Sequence, residues 1–415
     1  MRKAKGAETF PWGDCSARRE TAGKFSALDA QNESNSYDIG NDCSLQTGRE
    51  GLPKKGEDHS VMLCLTFSVS GKAGYSVRIR KYVSFAVMAL LALMLVLEGC
   101  RKENTDQELT KVVLNEVAHS IFYAPQYAAI ELGYFEEEGI DLQLDTGFGA
   151  DKVMTALVSG NADIGFMGSE SSIYVYQEGQ EDYAVNFAQL TQRAGNFLVA
   201  READSDFAWE DLKGTTVLGG RKGGMPQMVF EYILKQKGIG LEEMEIVQNI
   251  DFGSTAAAFS GGQGDYTVEF EPHATSLEES GDGYVVASLG VESGYVPYTA
   301  YCAKKSFLEK NPQIIQSFTN AIQKGLVYVN SHSAQEIAKT IAPQFAETEE
   351  STIAVIVNRY KEQDTWKGDT VFSQESFELL QDILEDAGEL ESRVPYEKLV
   401  VTEYAEKAAE TADEK

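Results

Sequence analysis

Residues 112–170 read VVLNEVAHSIFYAPQYAAIELGYFEEEGIDLQLDTGFGADKVMTALVSGNADIGFMGSE, and their periodicity decides the fold. Residues 112–117 carry the apolar run of a strand. A helix over 124–132 follows, with Tyr127, Ala128 and Ile130 on one side and Gly133 placed to end it. Ile140, Leu142 and Leu144 then alternate with Asp141, Gln143 and Asp145, the period of two that marks a strand with one buried and one wet face. After the turn 147–150, Asp151 is expected to cap a helix that turns Val153, Met154, Ala156 and Leu157 inward, and Gly160 stops it. A third strand, 162–167, ends at Gly168-Ser169-Glu170, where Ser169 is expected to cap a helix over 171–176. Strand and helix in alternation imply parallel βαβ units, whose carboxyl strand ends share one edge. The turns 123–126, 147–151 and 168–170 should therefore line one cleft. Helix N-termini converge there, which suits binding, and no obvious chemical reagent stands on it.

The rest of the chain fits a second lobe of the same kind. With 415 residues, 43% of them apolar, there is room for two or three domains. A formal charge of −29 argues against nucleic acid, since neutralising phosphates takes clustered Lys and Arg. Cys15, Cys43, Cys64, Cys100 and Cys302 have no CxxC spacing and no histidines at ligand spacing, so neither a zinc site nor a disulfide framework is indicated. No metal or cofactor is expected. The second lobe starts at strand 215–218, the glycine turn 219–224 and a helix with Met225, Met228, Val229, Tyr232 and Ile233 on one face and Pro226 in its first turn. Ser254 is expected to cap a helix over 255–259, and a strand follows in which Tyr266, Val268 and Phe270 alternate with Thr267, Glu269 and Glu271. Strand 284–289 closes this lobe. Beyond an extended segment at 297–303 the chain is helical, with one apolar stripe from Ile314 to Val329. Helices alone cannot complete a sheet, so this tail is assigned to the first lobe. The expected class is α/β in two lobes, with crossings near residues 200 and 298: lobe I from 111–200 and 299–405, lobe II from 201–298.

Upstream, residues 1–76 are polar without sustained periodicity and are expected to be disordered or a mis-assigned extension, with Val77 as a GTG-encoded start. Arg78, Arg80 and Lys81 precede an apolar run over 83–97, shorter than the roughly 20 residues of a permanent span and shaped like a secretory signal. The run ends in Leu97-Glu98-Gly99-Cys100, which resembles a bacterial lipobox. That resemblance implies a signal peptide over 77–100, lipidation of Cys100, a tether over 101–110, and a lipoprotein on the extracytoplasmic face of the membrane.

From residue 112 to 404 the chain resembles the substrate-binding proteins of ABC importers, in particular the thiamine-precursor (NMT1/THI5-like) and aliphatic-sulfonate binders. The resemblance is carried by Gly133-Tyr134-Phe135 with Gly139-Ile140-Asp141-Leu142, by Gly160-Asn161-Ala162-Asp163-Ile164-Gly165, by Asp211-Leu212-Lys213-Gly214, and by Gly264-Asp265-Tyr266 leading to Glu271-Pro272. It implies a type II periplasmic-binding-protein fold: two lobes on a two-strand hinge, closing over a small molecule. It also implies a monomer that passes its solute to a membrane permease without altering it. Tyr123 matches a polar or aromatic position at the head of the first helix, and Glu271 matches an acid that would hold an aminopyrimidine edge. Asn115 and Glu116 stand where such binders often carry a tryptophan.

The residues themselves extend that set. Gln126, Ser169 and Glu170 lie on the first lobe's binding edge. Arg221, Gly223 and Gly224 open a helix and suit an anionic group, although without the GK[ST] ending of a Walker loop. Ser254, Glu269 and Glu271 lie on the second lobe, and Glu271, last in its strand, is expected to reach the cleft. The favoured ligand is a thiamine-precursor pyrimidine or related heteroaromatic. The alternatives are a sulfonate, taurine or nitrate binder, a THI5-like pyrimidine synthase lacking its group's cysteine-rich metal motif, and a sensory ligand-binding protein.

Overall fold

The computed structural model describes residues 108–250 and 252–413. The expectations for residues 1–107, Cys100 among them, lie outside that range. Two five-stranded sheets organise the described residues. The first is laid down by β1 (Thr110–Glu116), α1 (Ala124–Glu131), β2 (Ile140–Thr146), α2 (Ala150–Ser159), β3 (Ile164–Met167), α3 (Glu170–Gln177) and β4 (Ala184–Thr191). The second contains β5 (Asn196–Ala200), β6 (Thr216–Leu218), α4 (Met225–Gln236), β7 (Glu245–Val247), α5 (Phe252–Ser260), β8 (Tyr266–Phe270), α6 (His273–Ser280) and β9 (Tyr284–Ser288). β10 (Thr299–Lys304) returns to the first sheet, and α7 (Pro312–Ser331), α8 (Ala334–Ile341), α9 (Glu350–Glu362), α10 (Gln374–Ala387) and α11 (Glu403–Asp413) follow it.

The strand orders β2-β1-β3-β10-β4 and β7-β6-β8-β5-β9 are one arrangement used twice. Each has three parallel strands and then an antiparallel one, and that antiparallel strand has just crossed from the other lobe. The first crossing lies at residues 192–195, which corrects the expected boundary near 200. Asn196–Ala200, placed in lobe I from the sequence, pairs with β8 and β9 of the second sheet. All five of its residues are buried, and a strand covered on both faces carries no periodicity to say which sheet takes it.

Local sequence explains most of the elements. β2 is an edge strand, and its alternating burial follows its alternating residues. In α2, Val153, Met154 and Leu157 are buried and Gly160 closes the helix at φ 79°, where a Cβ would be strained. The stripe of α7 buries Ile315, Phe318, Ile322, Leu326 and Val329, and this helix packs on α1 and α11. The tail also reaches the second lobe, because α10 packs on α4. No helix among the described residues is long and apolar enough to cross a membrane.

Three expected caps are corrected. α5 begins at Phe252, so Ser254 is an exposed residue of its first turn rather than its cap. Asp151 lies in the first turn of α2, whose N-cap is Gly149. Ser169 does occupy the N-cap of α3 without a side-chain cap bond, since its hydroxyl donates to the Pro297 carbonyl instead.

Candidate functional site

Residues just past the carboxyl strand ends make the contacts between the lobes. Ser120 Oγ donates to the Glu271 carbonyl at 2.9 Å, and the Phe122 and Phe270 rings lie 6.0 Å apart. Asp151, at the head of α2, meets Arg221 of the second lobe at 3.3 Å. The Tyr174 hydroxyl approaches Met228 Sδ at 3.7 Å, joining α3 to α4. The crossing segment passes tightly over this region, for a Cβ on Gly195 would fall 2.7 Å from the Phe122 ring.

Glu170 is the unusual group of the first edge. It is 3% exposed, and Oε2 has no hydrogen-bond partner among the described residues. The carboxyl folds back over Gly168, where a Cβ would sit 2.6 Å from Cδ. Only glycine leaves it that space. Burial pushes the carboxyl up to about 7, against a small opposing effect of its own backbone N–H. Its charge is felt by Tyr123, Tyr174 and Tyr298, whose hydroxyls are all pushed up, chiefly by burial. The charge of a carboxyl whose Oε2 has no partner among the described residues is therefore felt by three phenols.

Tyr298 and Asn196 complete the centre. Ser169, next to Glu170, is bonded to Pro297, next to Tyr298. The Tyr298 hydroxyl donates to Asn196 Oδ1 at 2.6 Å, while Asn196, fully buried, leaves Nδ2 without a partner among the described residues. Asn196 opens β5 opposite Phe270, the last residue of β8, so it stands on the second sheet's binding edge. The Tyr298 ring meets Phe122 edge-on at 5.8 Å, and Tyr123 meets Phe166 edge-on at 4.5 Å.

Gln126 is drawn into a separate network. Glu116, at the tip of β1, accepts from Gln126 Nε2 at 2.7 Å, Tyr127 at 2.8 Å and Thr146 at 3.1 Å, and lies 2.9 Å from His119 Nδ1. Gln126 Oε1 accepts from Tyr301 at 2.9 Å. Both ends of the Gln126 amide are thus engaged inside the first lobe. The bond to Glu116 is the main cause that raises the His119 pKa.

On the second lobe, Glu271 departs from expectation. Its carboxylate pairs with Arg359 of α9 and accepts from the Thr275 N–H at 2.9 Å. Burial raises its pKa and Arg359 opposes the rise. Arg359 also binds Glu278 at 2.6 Å, so Glu271 ties the second lobe to the C-terminal helices instead of presenting a free acid to the cleft. Glu269 is 1% exposed and accepts from Thr267 at 2.6 Å and Thr255 at 3.1 Å; burial pushes it up to about 7. The expected anion group is occupied from within: Arg221 pairs with Asp151 across the lobes, and the Gly223 N–H donates to Gln227 Oε1 at 2.9 Å. Gly224 is the N-cap of α4.

The structure thus brings Tyr123, Ser169 and Glu170 together, and assigns Gln126, Arg221, Gly223, Ser254, Glu269 and Glu271 to other surroundings. Asn196, Tyr174 and Tyr298 escaped the sequence reading. The only signal for Asn196 and Tyr298 was position, at the opening of a strand and the end of a crossing, and Tyr174 is an interior residue of α3. The centre can accept a hydrogen bond at Glu170, donate one at Asn196, and offer aromatic faces between them. No group of three His, Cys, Asp or Glu side chains able to hold a metal occurs among the described residues. Burial raises the Cys302 thiol to about 12, which leaves it unreactive.

Comparison with known proteins agrees with this architecture. The model of the family described as NMT1/THI5 like matches residues 121–336. YtlA of Bacillus subtilis (strain 168), provisionally named a binding protein, is 47% identical over 326 residues, covering 78% of this chain and 97% of its own. The periplasmic aliphatic sulphonate binding protein SsuA from Escherichia coli is 16% identical, with a TM-score of 0.57 over 70% of this chain and 97% of its own. The ligand-binding component of an ABC-type import system from Staphylococcus aureus, solved with zinc bound, is 14% identical, with a TM-score of 0.60 over 72% of this chain and 99% of its own. The last two establish the periplasmic-binding-protein fold, and the first two place the chain in the NMT1/THI5-like family.

Proposed function

We propose that the protein is the solute-binding component of an ABC importer, and that it takes a small amino-bearing heteroaromatic molecule, of the thiamine-precursor pyrimidine kind, between its lobes. The observation that carries this reading is the buried Glu170 carboxyl, whose Oε2 has no partner among the described residues and whose charge is felt by Tyr123, Tyr174 and Tyr298. A buried acid without a partner calls for a donor from the solute, and the rings offer it flat faces. Lobe closure then reports occupancy to a permease, and the solute leaves unchanged. The anion reading has less support, because the cation it relied on, Arg221, pairs with Asp151 and the buried ionisable group at the centre is an acid.

The test is a thermal-shift screen of the full chain against hydroxymethylpyrimidine, formylaminopyrimidine, taurine, alkanesulfonates and nitrate. A solute at a hundredfold excess over its dissociation constant stabilises by about 2.7 kcal/mol. The pyrimidines should raise the melting temperature; a response to sulfonates or nitrate alone would favour the anion reading, and turnover of a bound pyrimidine would favour an enzyme. Lipid anchoring through Cys100 is part of the proposal. Cys100→Ser should move the protein from the membrane fraction to the soluble fraction.

A further inference from the structure

Two buried polar groups between the lobes are unpaired, and they are opposite in kind. Glu170 Oε2 is an acceptor, and Asn196 Nδ2 is a donor. They stand on different sheets, Glu170 just beyond the tip of β3 and Asn196 opposite the tip of β8. Both are tied to one short segment. Ser169 is bonded to Pro297 and Asn196 to Tyr298, so adjacent residues of one segment link the two groups. The Tyr298 hydroxyl takes up Oδ1, and the amide nitrogen is the end left without a partner among the described residues. Among the described residues, the other buried unpaired side-chain atoms are Asn115 Oδ1, Gln189 Oε1 and Arg193 Nε. Gln189 and Arg193 are otherwise engaged, through Thr191 and Gly290, and Asn115 lies against Gly147 on β1.

Resting on the solute-receptor reading above, we infer that Asn196 is a specificity-determining residue that works as a pair with Glu170. The solute bridges the lobes by giving a hydrogen-bond donor to Glu170 Oε2 and an acceptor to Asn196 Nδ2. One flat molecule that carries both is recognised in full. A molecule with only one leaves the opposite lobe with an unmet group in a dry setting, which weakens binding more than the missing contact alone. Simple alkanesulfonates and nitrate bring no donor, and quaternary ammonium ions bring neither.

Titration calorimetry at pH 8, where Glu170 is ionised and accepts, with the full chain and three named probes tests the pairing: 4-aminopyrimidine with donor and acceptor, pyrimidine with no donor, and aniline with no ring acceptor. Wild type should bind 4-aminopyrimidine at least tenfold more tightly than either of the others. Asn196→Ala should erase the preference over aniline and keep the preference over pyrimidine, and Glu170→Leu, which removes the acceptor, should do the reverse. The wild-type series needs no variant, so misfolding cannot hide the answer. Comparable binding of all three probes, no binding of any, or an Asn196→Ala variant that weakens all three equally would overturn the pairing. The receptor reading stands or falls separately, on the solute panel described above.

Discussion

Glu170→Gln is expected to stabilise the protein in the absence of solute, by an amount that grows as the pH rises from 4.5 to 7. The folded carboxyl sits at about 7, against an ordinary value of 4.5. A folded-state value above the unfolded one means that folding favours the protonated acid. The resulting stability is fully present below pH 4.5 and is lost as the pH rises through 7. At pH 8 the group is ionised, 3% exposed and unpaired at Oε2. Each pH unit is worth about 1.36 kcal/mol, so the rise from 4.5 to 7 costs the folded state about 3 kcal/mol at that pH. Glutamine keeps the shape and removes the charge. The variant should therefore gain up to about 3 kcal/mol at pH 8, a rise of about 5 °C in melting temperature for a chain of this size, and under about 1 kcal/mol at pH 5. Urea and thermal denaturation of both proteins at pH 5, 6.5 and 8, without solute, measure the difference. A gain independent of pH, or a loss at pH 8, would refute the reasoning, because either means that the carboxylate is not desolvated and alone.

Three other outcomes are expected. Arg359→Met leaves Glu271 buried without its cation and should cost about 3–5 kcal/mol of unfolding free energy at pH 8; a cost under 1 kcal/mol in denaturation curves would count against that pair as a link between the lobes. Gly168→Ala places a Cβ against the Glu170 carboxyl, so calorimetry should show solute affinity falling at least tenfold while the far-ultraviolet spectrum is unchanged; unaltered affinity would mean that the acid's position is unimportant. Asp151→Asn breaks an exposed ion pair, with 61% and 49% of the two side chains accessible, and should change affinity by no more than about 1 kcal/mol, an effect that vanishes in high salt. A larger, salt-independent loss would place Asp151 on the solute.

Much of the architecture is legible from the sequence because periodicity encodes it. β2 alternates because one of its faces is wet, α7 keeps a stripe because one of its sides is buried, and the glycine at 160 ends a helix by its left-handed backbone. β5 is less legible, since a strand buried on both faces tells nothing of its neighbours. The site divides in the same way. Tyr123 and Glu170 follow strands whose tips can be located in advance. Glu271 also follows one, but its partner Arg359 lies 88 positions away, and no local pattern announces such a pairing. Gln126 and Arg221 were claimed in the same way, by Glu116 and by Asp151. Asn196 and Tyr298 matter only because two crossings bring them together, which is a property of topology.

The position of the two unpaired groups bears on how closure could discriminate. With the lobes in contact, Glu170 Oε2 and Asn196 Nδ2 are both buried without a partner among the described residues. Each such group costs about 1–3 kcal/mol, so the empty closed state is penalised by roughly 2–6 kcal/mol. Opening returns both groups to water, which is the reason an empty receptor should prefer to open. Moving a two-state equilibrium from 1:99 to 99:1 takes about 5.5 kcal/mol, comparable with the upper end of that penalty. A solute that answers both groups can therefore close the lobes, while a solute that answers one removes about half of the penalty and leaves most molecules open. A permease that reads the closed form would reject such half-matched solutes more steeply than their affinities alone suggest, because one pair of atoms sets both recognition and closure.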